Sequence, residues 1–258
     1  MQMHAMKNIP NHLIEKIVRC VEDAVGDDIK ADIRQNELET TNSVPSRIWD
    51  FLNTGLIKTL NAEDCTVVKG HRGPWQMVVV FEKTTECIFT LMREKRFSEL
   101  CRRQRNRKQM HYVDMLAKQF NKDLVADTQQ YSFLPHSFSD EEKLVELVGN
   151  LLNDLGSDRD LVRNHVLILF DTVGYQLTSI RSIMVTPTLD IAENSEQNWS
   201  SFIEGNTSTI VEKVDDLESP VNQPNRGLTF KTSAFERKGS NANISYDNKD
   251  LQKQDEIS

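Results

Sequence analysis

Glycine is scarce, with ten in 258 residues and no local cluster of them. That excludes a glycine-rich phosphate cradle and a dinucleotide fingerprint, which need several glycines within a few positions. No Gly-x-Ser-x-Gly occurs, and the histidines at 4, 12, 71, 111, 136 and 165 form neither His-x-x-x-His nor His-x-His. A nucleophile elbow and common zinc chemistry therefore lack their residues. The four cysteines, at 20, 65, 87 and 101, include no Cys-x-x-Cys pair, so neither a structural zinc nor a disulfide framework is expected, and buried reduced thiols are. Long apolar runs are absent too: the longest are Val78-Val-Val-Phe81 and Val166-Leu-Ile-Leu-Phe170, far short of the roughly 20 residues of a spanning helix. Met1 to Pro10 shows no charged start followed by an apolar stretch, so no signal peptide is expected there. From these absences the expectation is a cytoplasmic protein without cofactor, metal or membrane association.

What is present is a polar chain. Apolar residues make up 38%, charged ones 27%, and mean hydropathy is −0.51, which points to a folded core diluted by solvated segments. Leu13, Ile14, Ile17, Val18, Val21 and Val25 recur at helical spacing before Gly26, and a polar connection follows to Asn42. Ser46 is the expected N-cap of a second helix carrying Ile48, Trp49, Phe51, Leu52, Leu56, Ile57 and Leu60. Residues 65–69, 75–82 and 86–92 read as an antiparallel meander. Helical periodicity returns from Glu94 to about Asn121 and again over 139–155, where Ser139 and Glu142 have capping-box spacing. His165 to Phe170 is apolar on both faces, as in mid-sheet, and a turn at Gly174 leads to a partner strand over 176–186. Trp199, Phe202, Ile203, Ile210 and Val211 are the last apolar residues that can pack back on the core.

The expected fold is therefore α+β: an antiparallel sheet of about five strands with N-terminal helices, a long central basic helix and a disordered C-terminal tail. The expected divisions are 1–45, an N-terminal helix and polar connection, 46–215, the α+β core, and 216–258, a disordered polar tail.

One charge feature stands out. Residues 93–108 contain eight basic and two acidic residues, a local charge of +6 against −8 for the whole chain, so the other 242 residues carry −14. In one continuous helix, Phe97, Leu100, Cys101, His111, Tyr112, Met115, Leu116 and Phe120 would share a buried stripe. Arg96, Arg103 and Arg107 would share another face. Such a helix can present Arg96, Arg102, Arg103, Arg105, Arg107 and Lys108 to phosphate, because guanidinium forks match phosphate oxygens and each neutralised phosphate releases counterions. The bland alternative pairs these cations with Glu141-Glu142, with Asp158 to Asp160, or with acids of the first helices. Aromatic residues near the basic run fall on the buried stripe, so backbone contact is favoured over base reading.

Enzymatic readings fare worse. A metal-dependent nuclease needs converging carboxylates, usually with a lysine one residue beyond the second acid on a strand. Asp64 and Glu82 flank strands, but Lys83 is adjacent to Glu82 and projects to the opposite face. Asp171 and Arg181, near the ends of paired strands, are a further place for binding groups, although a turn-capping aspartate and a solvent-facing arginine are the better explanation.

The run Arg72-Gly-Pro-Trp75, with Met92-Arg-Glu-Lys-Arg-Phe97, His111-Tyr112, Phe120-Asn121 and Val166-Leu-Ile-Leu-Phe-Asp171, resembles an uncharacterised domain family of Firmicutes and their prophages or mobile elements, over about residues 45 to 190. The resemblance implies a bacterial or prophage setting and a cytoplasmic protein, and it names no catalytic residue. The leading expectation is a non-enzymatic binding or regulatory protein that contacts nucleic-acid phosphate through the basic helix 93–108. An inhibitor or accessory subunit docking an acidic protein partner comes second, and a nuclease third. No oligomeric state follows from the residues. If the tail is outside the core, truncation at Ser219 leaves the melting temperature within about 2 °C of the full chain, since only buried contacts carry large effects; a large drop contradicts that division.

Overall fold

The computed structural model describes residues 8–62, 64–72, 75–103, 107, 110–125 and 141–204. The expected tail, Ile210, Val211, Ser139, Arg105 and Lys108 lie outside the described residues.

Three helices come first: α1 (Asn11–Val25), α2 (Asp27–Gln35) and α3 (Val44–Leu60). Helix α1 buries Leu13, Ile14, Ile17, Val18, Val21 and Val25 on the stripe that its spacing predicts. Gly26 does not stop the helical path but turns it directly into α2. A Cβ there would lie 2.8 Å from the Glu22 carbonyl oxygen, so the sharp redirection needs glycine. Helix α2 replaces the expected polar connection. It rests on Ile29, which is buried, and Ile33, with Asp27 and Asp28 at its positive end and an Asp32–Arg47 ion pair to α3. Helix α3 begins at Val44, two residues before the expected cap; Ser46 lies inside its first turn and donates its hydroxyl to the Ser43 carbonyl at 2.8 Å.

Strands β1 (Cys65–Arg72), β2 (Trp75–Glu82) and β3 (Cys87–Arg93) form the expected meander. Then come α4 (Glu94–Arg102), α5 (Tyr112–Phe120) and α6 (Glu141–Asp154), followed by β4 (Asn164–Val173), β5 (Gln176–Ile183) and the short β6 (Gln197–Asn198). Gly174, at φ 57°, makes the two-residue hairpin from β4 to β5, a conformation that favours glycine.

Two corrections to the expected architecture follow. The sheet has six strands in the order β1-β2-β3-β4-β5-β6 and is mixed, because β3 and β4 run parallel from Cys87↔Asn164 to Arg93↔Phe170. A parallel neighbour demands a crossover, and α4 to α6 supply it. The long basic helix is broken: α4 ends at Arg102, the Arg103 amide closes on the Glu99 carbonyl, and α5 restarts at Tyr112. The restart is a capping box, in which the Asp114 carboxylate accepts from the His111 amide at 2.7 Å and His111 Nδ1 accepts from the Val113 amide.

Alternation along the strands sorts the core into two. Val78, Val80, Phe89, Leu91, Val166, Ile168 and Phe170 face α1 and α3, together with Trp199 and Ile203. Val79, Phe81, Ile88, Met92, Leu167 and Leu169 face α4, α5 and α6. Helices therefore cover both faces, as a parallel strand pair requires. Among the described residues no helix is long and apolar enough to cross a membrane.

His165 is wholly buried in the second layer. It shares a 2.8 Å hydrogen bond with Thr90 Oγ1, while Asn121 clamps its backbone through both N–H and carbonyl. Burial pushes its pKa down to about 3, so the native imidazole is neutral at pH 7. The unfolded chain takes up a proton near pH 6.5. Its contribution is thus complete above pH 6.5 and is lost as pH falls from there toward 3, by up to about 1.4 kcal/mol per pH unit. Urea unfolding at pH 7, 6 and 5 should show His165→Gln with a shallower loss of stability than the parent chain; equal slopes would mean that His165 takes up its proton in the native state as readily as in the unfolded chain.

Candidate functional site

Strands β2 and β3 pair only from Val80↔Phe89 to Glu82↔Cys87. Beyond that point β2 continues on β1 out to Trp75, and β3 continues on β4 out to Arg93. The two edges separate, and a cleft of about 400 Å³ opens between residues 76–78 and 90–93. Trp49 and Asn53 of α3 line it from one layer, and His111 and Tyr112 at the start of α5 from the other. Trp75 and Arg96 complete the lining. The cleft lies at the carboxyl end of β3, where the chain leaves the parallel pair for its crossover, a favoured place for ligands in sheets of this kind.

Among the described residues no carboxylate lines this cleft. In contrast, a cavity at the opposite end of β3 and β4 has Glu86 and Asp123 beside Lys122 and Arg163, and one beside α1 has Glu15, Glu22, Asp23 and Glu204.

Arg93 is the unusual residue. Its guanidinium lies over the Phe170 ring, 5.3 Å from the centroid, and donates to Thr172 Oγ1 at 2.8 Å. Phe170 in turn meets Trp49 edge-on at 5.7 Å. Burial lowers the Arg93 pKa, and Asp171 offsets this from beyond ion-pair distance. Arg47, Arg107 and Arg181, which are also at least partly buried, each hold a carboxylate. Among the described residues, Arg93 has only a hydroxyl and an aromatic face.

Of the six cations expected to form a binding face, Arg96, Arg102, Arg103 and Arg107 are among the described residues, and they differ in setting. Arg96 is half exposed at the cleft and makes one i,i+3 pair with Glu99 at 3.3 Å, an interaction of little weight in solvent. Arg102 and Arg103 are exposed, and no described acid pairs with either. Arg107 is different. It is 11% exposed and forks onto Asp114, with both nitrogens at 2.7 Å, so its charge is spent holding the cap of α5. Of the acids expected to neutralise the run, Asp158 accepts from the Thr66 hydroxyl and Glu142 is exposed; the side chain of Glu141 lies outside the described residues.

The other sequence candidates have structural duties. Glu82 is buried and accepts from the Thr84 and Thr85 amides and the Thr85 hydroxyl. Burial opposes its charge, but these hydrogen bonds prevail and hold its carboxyl below the usual range. Arg181 binds Glu94 and Glu196, fixing the first turn of α4 against β5, while Asp171 caps its neighbour Thr172. Among the described residues no group of three His, Cys, Asp or Glu side chains is placed to hold a metal ion. Sequence reasoning missed Arg93, Trp49, Trp75 and Tyr112 as site residues. The one available signal was Trp75, an aromatic beside the Gly73-Pro74 turn.

Since the Arg107–Asp114 pair is buried, removing one partner strands the other charge. Arg107→Ala should lower the urea-derived stability by about 3 kcal/mol; a loss under about 0.5 kcal/mol would return Arg107 to the exposed basic face.

No curated protein and no solved structure matches the chain. A model of the family of unknown function DUF5986 matches residues 6–246, and the chain belongs to that family.

Proposed function

We propose that the protein is a non-enzymatic, intracellular binding protein that engages nucleic-acid phosphate at the cleft between β2 and β3 and along the exposed face of α4. The observation that carries this reading is Arg93. A partly buried guanidinium with no carboxylate in ion-pair contact is costly to desolvate, and a bound phosphate would supply a contacting anion with matching fork geometry. Arg96 stands at the same cleft, and Arg103, the C-cap of α4, follows two turns on along the same face. The acid-free lining keeps the local field positive although the chain carries −8 overall. Four free cysteines, three of them buried, support a reducing compartment and hence the cytoplasm.

The second reading is a protein-interaction module. It is favoured by the unpaired edges of β2 and β3 at the cleft, since such edges accept an extended peptide. The two readings separate on salt and charge. Fluorescence anisotropy of the full chain with labelled DNA and RNA should show affinity falling with salt, with a log–log slope of about −0.7 to −0.9 per phosphate neutralised. Arg96→Glu with Arg103→Glu should weaken binding at least tenfold and flatten that slope. Unchanged affinity and slope in the double variant would remove the phosphate reading.

A further inference from the structure

A surface that reads only backbone phosphate needs exposed cations and nothing more. The cleft has more than that. Its two long walls are the facing edges of β2 and β3 over residues 76–78 and 90–93, which among the described residues have no ladder partner on the cleft side. Alternate N–H and C=O groups of these edges face the gap rather than a neighbouring strand. The Leu91 carbonyl accepts a long 3.4 Å bond from the Tyr112 hydroxyl across it. Trp75, at the mouth, is 58% exposed, uncommon for so large an apolar side chain. The cleft thus combines an exposed indole face, two strand edges that do not pair with each other, and the Arg93 and Arg96 guanidinium groups, in a volume that suits a small polar aromatic ligand.

We propose that this cleft is a pocket for one unpaired nucleotide: its base enters between β2 and β3 against Trp75, and its phosphate lies on Arg93 and Arg96. The inference rests on the phosphate reading above and narrows it to single strands. In a duplex each base is stacked and paired, so a slot between two strand edges is closed to it. An unpaired base presents a π-face to Trp75 and a polar edge to the backbone groups of the walls. Apolar lining from Met77, Val78 and Leu91 excludes water around the base, and among the described residues no lining carboxylate repels the phosphate. A base stacked on an aromatic side chain typically contributes five- to 150-fold in affinity, so Trp75 should matter for single strands far beyond any charge effect.

The test uses the full chain and its tryptophan fluorescence, titrated with a 12-nucleotide single strand, the matching duplex, and a nucleoside monophosphate. The expected result is quenching by the single strand, at least tenfold tighter than duplex, with Trp75→Ala weakening single-strand binding about tenfold or more and Trp75→Phe restoring most of it. Because Trp75 is exposed, its replacement leaves the core intact. The monophosphate distinguishes the source of the nucleotide. Competition at a comparable concentration assigns a free nucleotide to the pocket, and weak competition assigns a strand; either supports the pocket. Equal binding of duplex and single strand, indifferent to Trp75→Ala but weakened by Arg96→Glu with Arg103→Glu, overturns the pocket and leaves the phosphate reading standing. Failure of all three probes to bind at low salt overturns both, and leaves the strand edges to a peptide.

Discussion

Strand β3 has two neighbours and can follow only one of them along its full length. It follows β4, with seven parallel pairs, and leaves β2 after three antiparallel ones. That choice sets much of the rest. A parallel neighbour requires a long crossover, which places α4, α5 and α6 on the second face of the sheet and turns β3 directly into α4. The same choice parts β2 from β3 and opens the cleft, so the basic N-terminal turn of α4 and the cap of α5 meet over a gap in the sheet rather than over a closed ladder.

Electrostatics divides the arginines by duty. Arg47 ties α3 to α2, Arg181 ties β5 to α4, and Arg107 secures the start of α5; each does so against a carboxylate. Such pairs fix geometry more than they stabilise it. Arg93 ties β3 to β4 through a hydroxyl and a ring instead, which leaves its charge available to a ligand. Two neighbouring guanidinium groups at the end of β3, with the cations of α4 beyond them, form the one acid-free concavity among the cavities described above. The proposed function follows from that contrast, not from the total number of basic residues in the run.

Much of the fold was legible in the sequence because burial imposes periodicity. Helix α1 shows six apolar residues at helical spacing, and β4 is apolar on both faces because both faces are covered. Helix α2 was illegible: Ile29 and Ile33 alone carry it, and its support comes from Arg47 of the next helix. Orientation was also hidden, since a period of two is the same for parallel and antiparallel strands. The break after Arg102 escaped notice because the apolar stripe resumes from His111 to Phe120; the restart depends on Arg107 and Asp114, seven residues apart, meeting at a cap. Of the site, the basic run was visible, but helical spacing singles out Arg96, Arg103 and Arg107 and gives no reason to prefer Arg93. Trp49 and Trp75 come from other elements, and only the separation of β2 from β3 brings them beside Arg93.

The central claim is that the edges of β2 and β3 are unpaired at the cleft and are occupied by a ligand. Amide hydrogen exchange of the full chain, resolved over residues 76–78 and 90–93 with and without a single-stranded oligonucleotide, tests it most directly. The account predicts that the amides facing the cleft exchange rapidly in the free protein and become protected on binding, while residues 80–82 and 87–89 are protected throughout. Strong protection of residues 76–78 and 90–93 in the free protein would mean that the two strands are paired there and would contradict the cleft itself; exchange unaltered by the oligonucleotide would contradict its occupation.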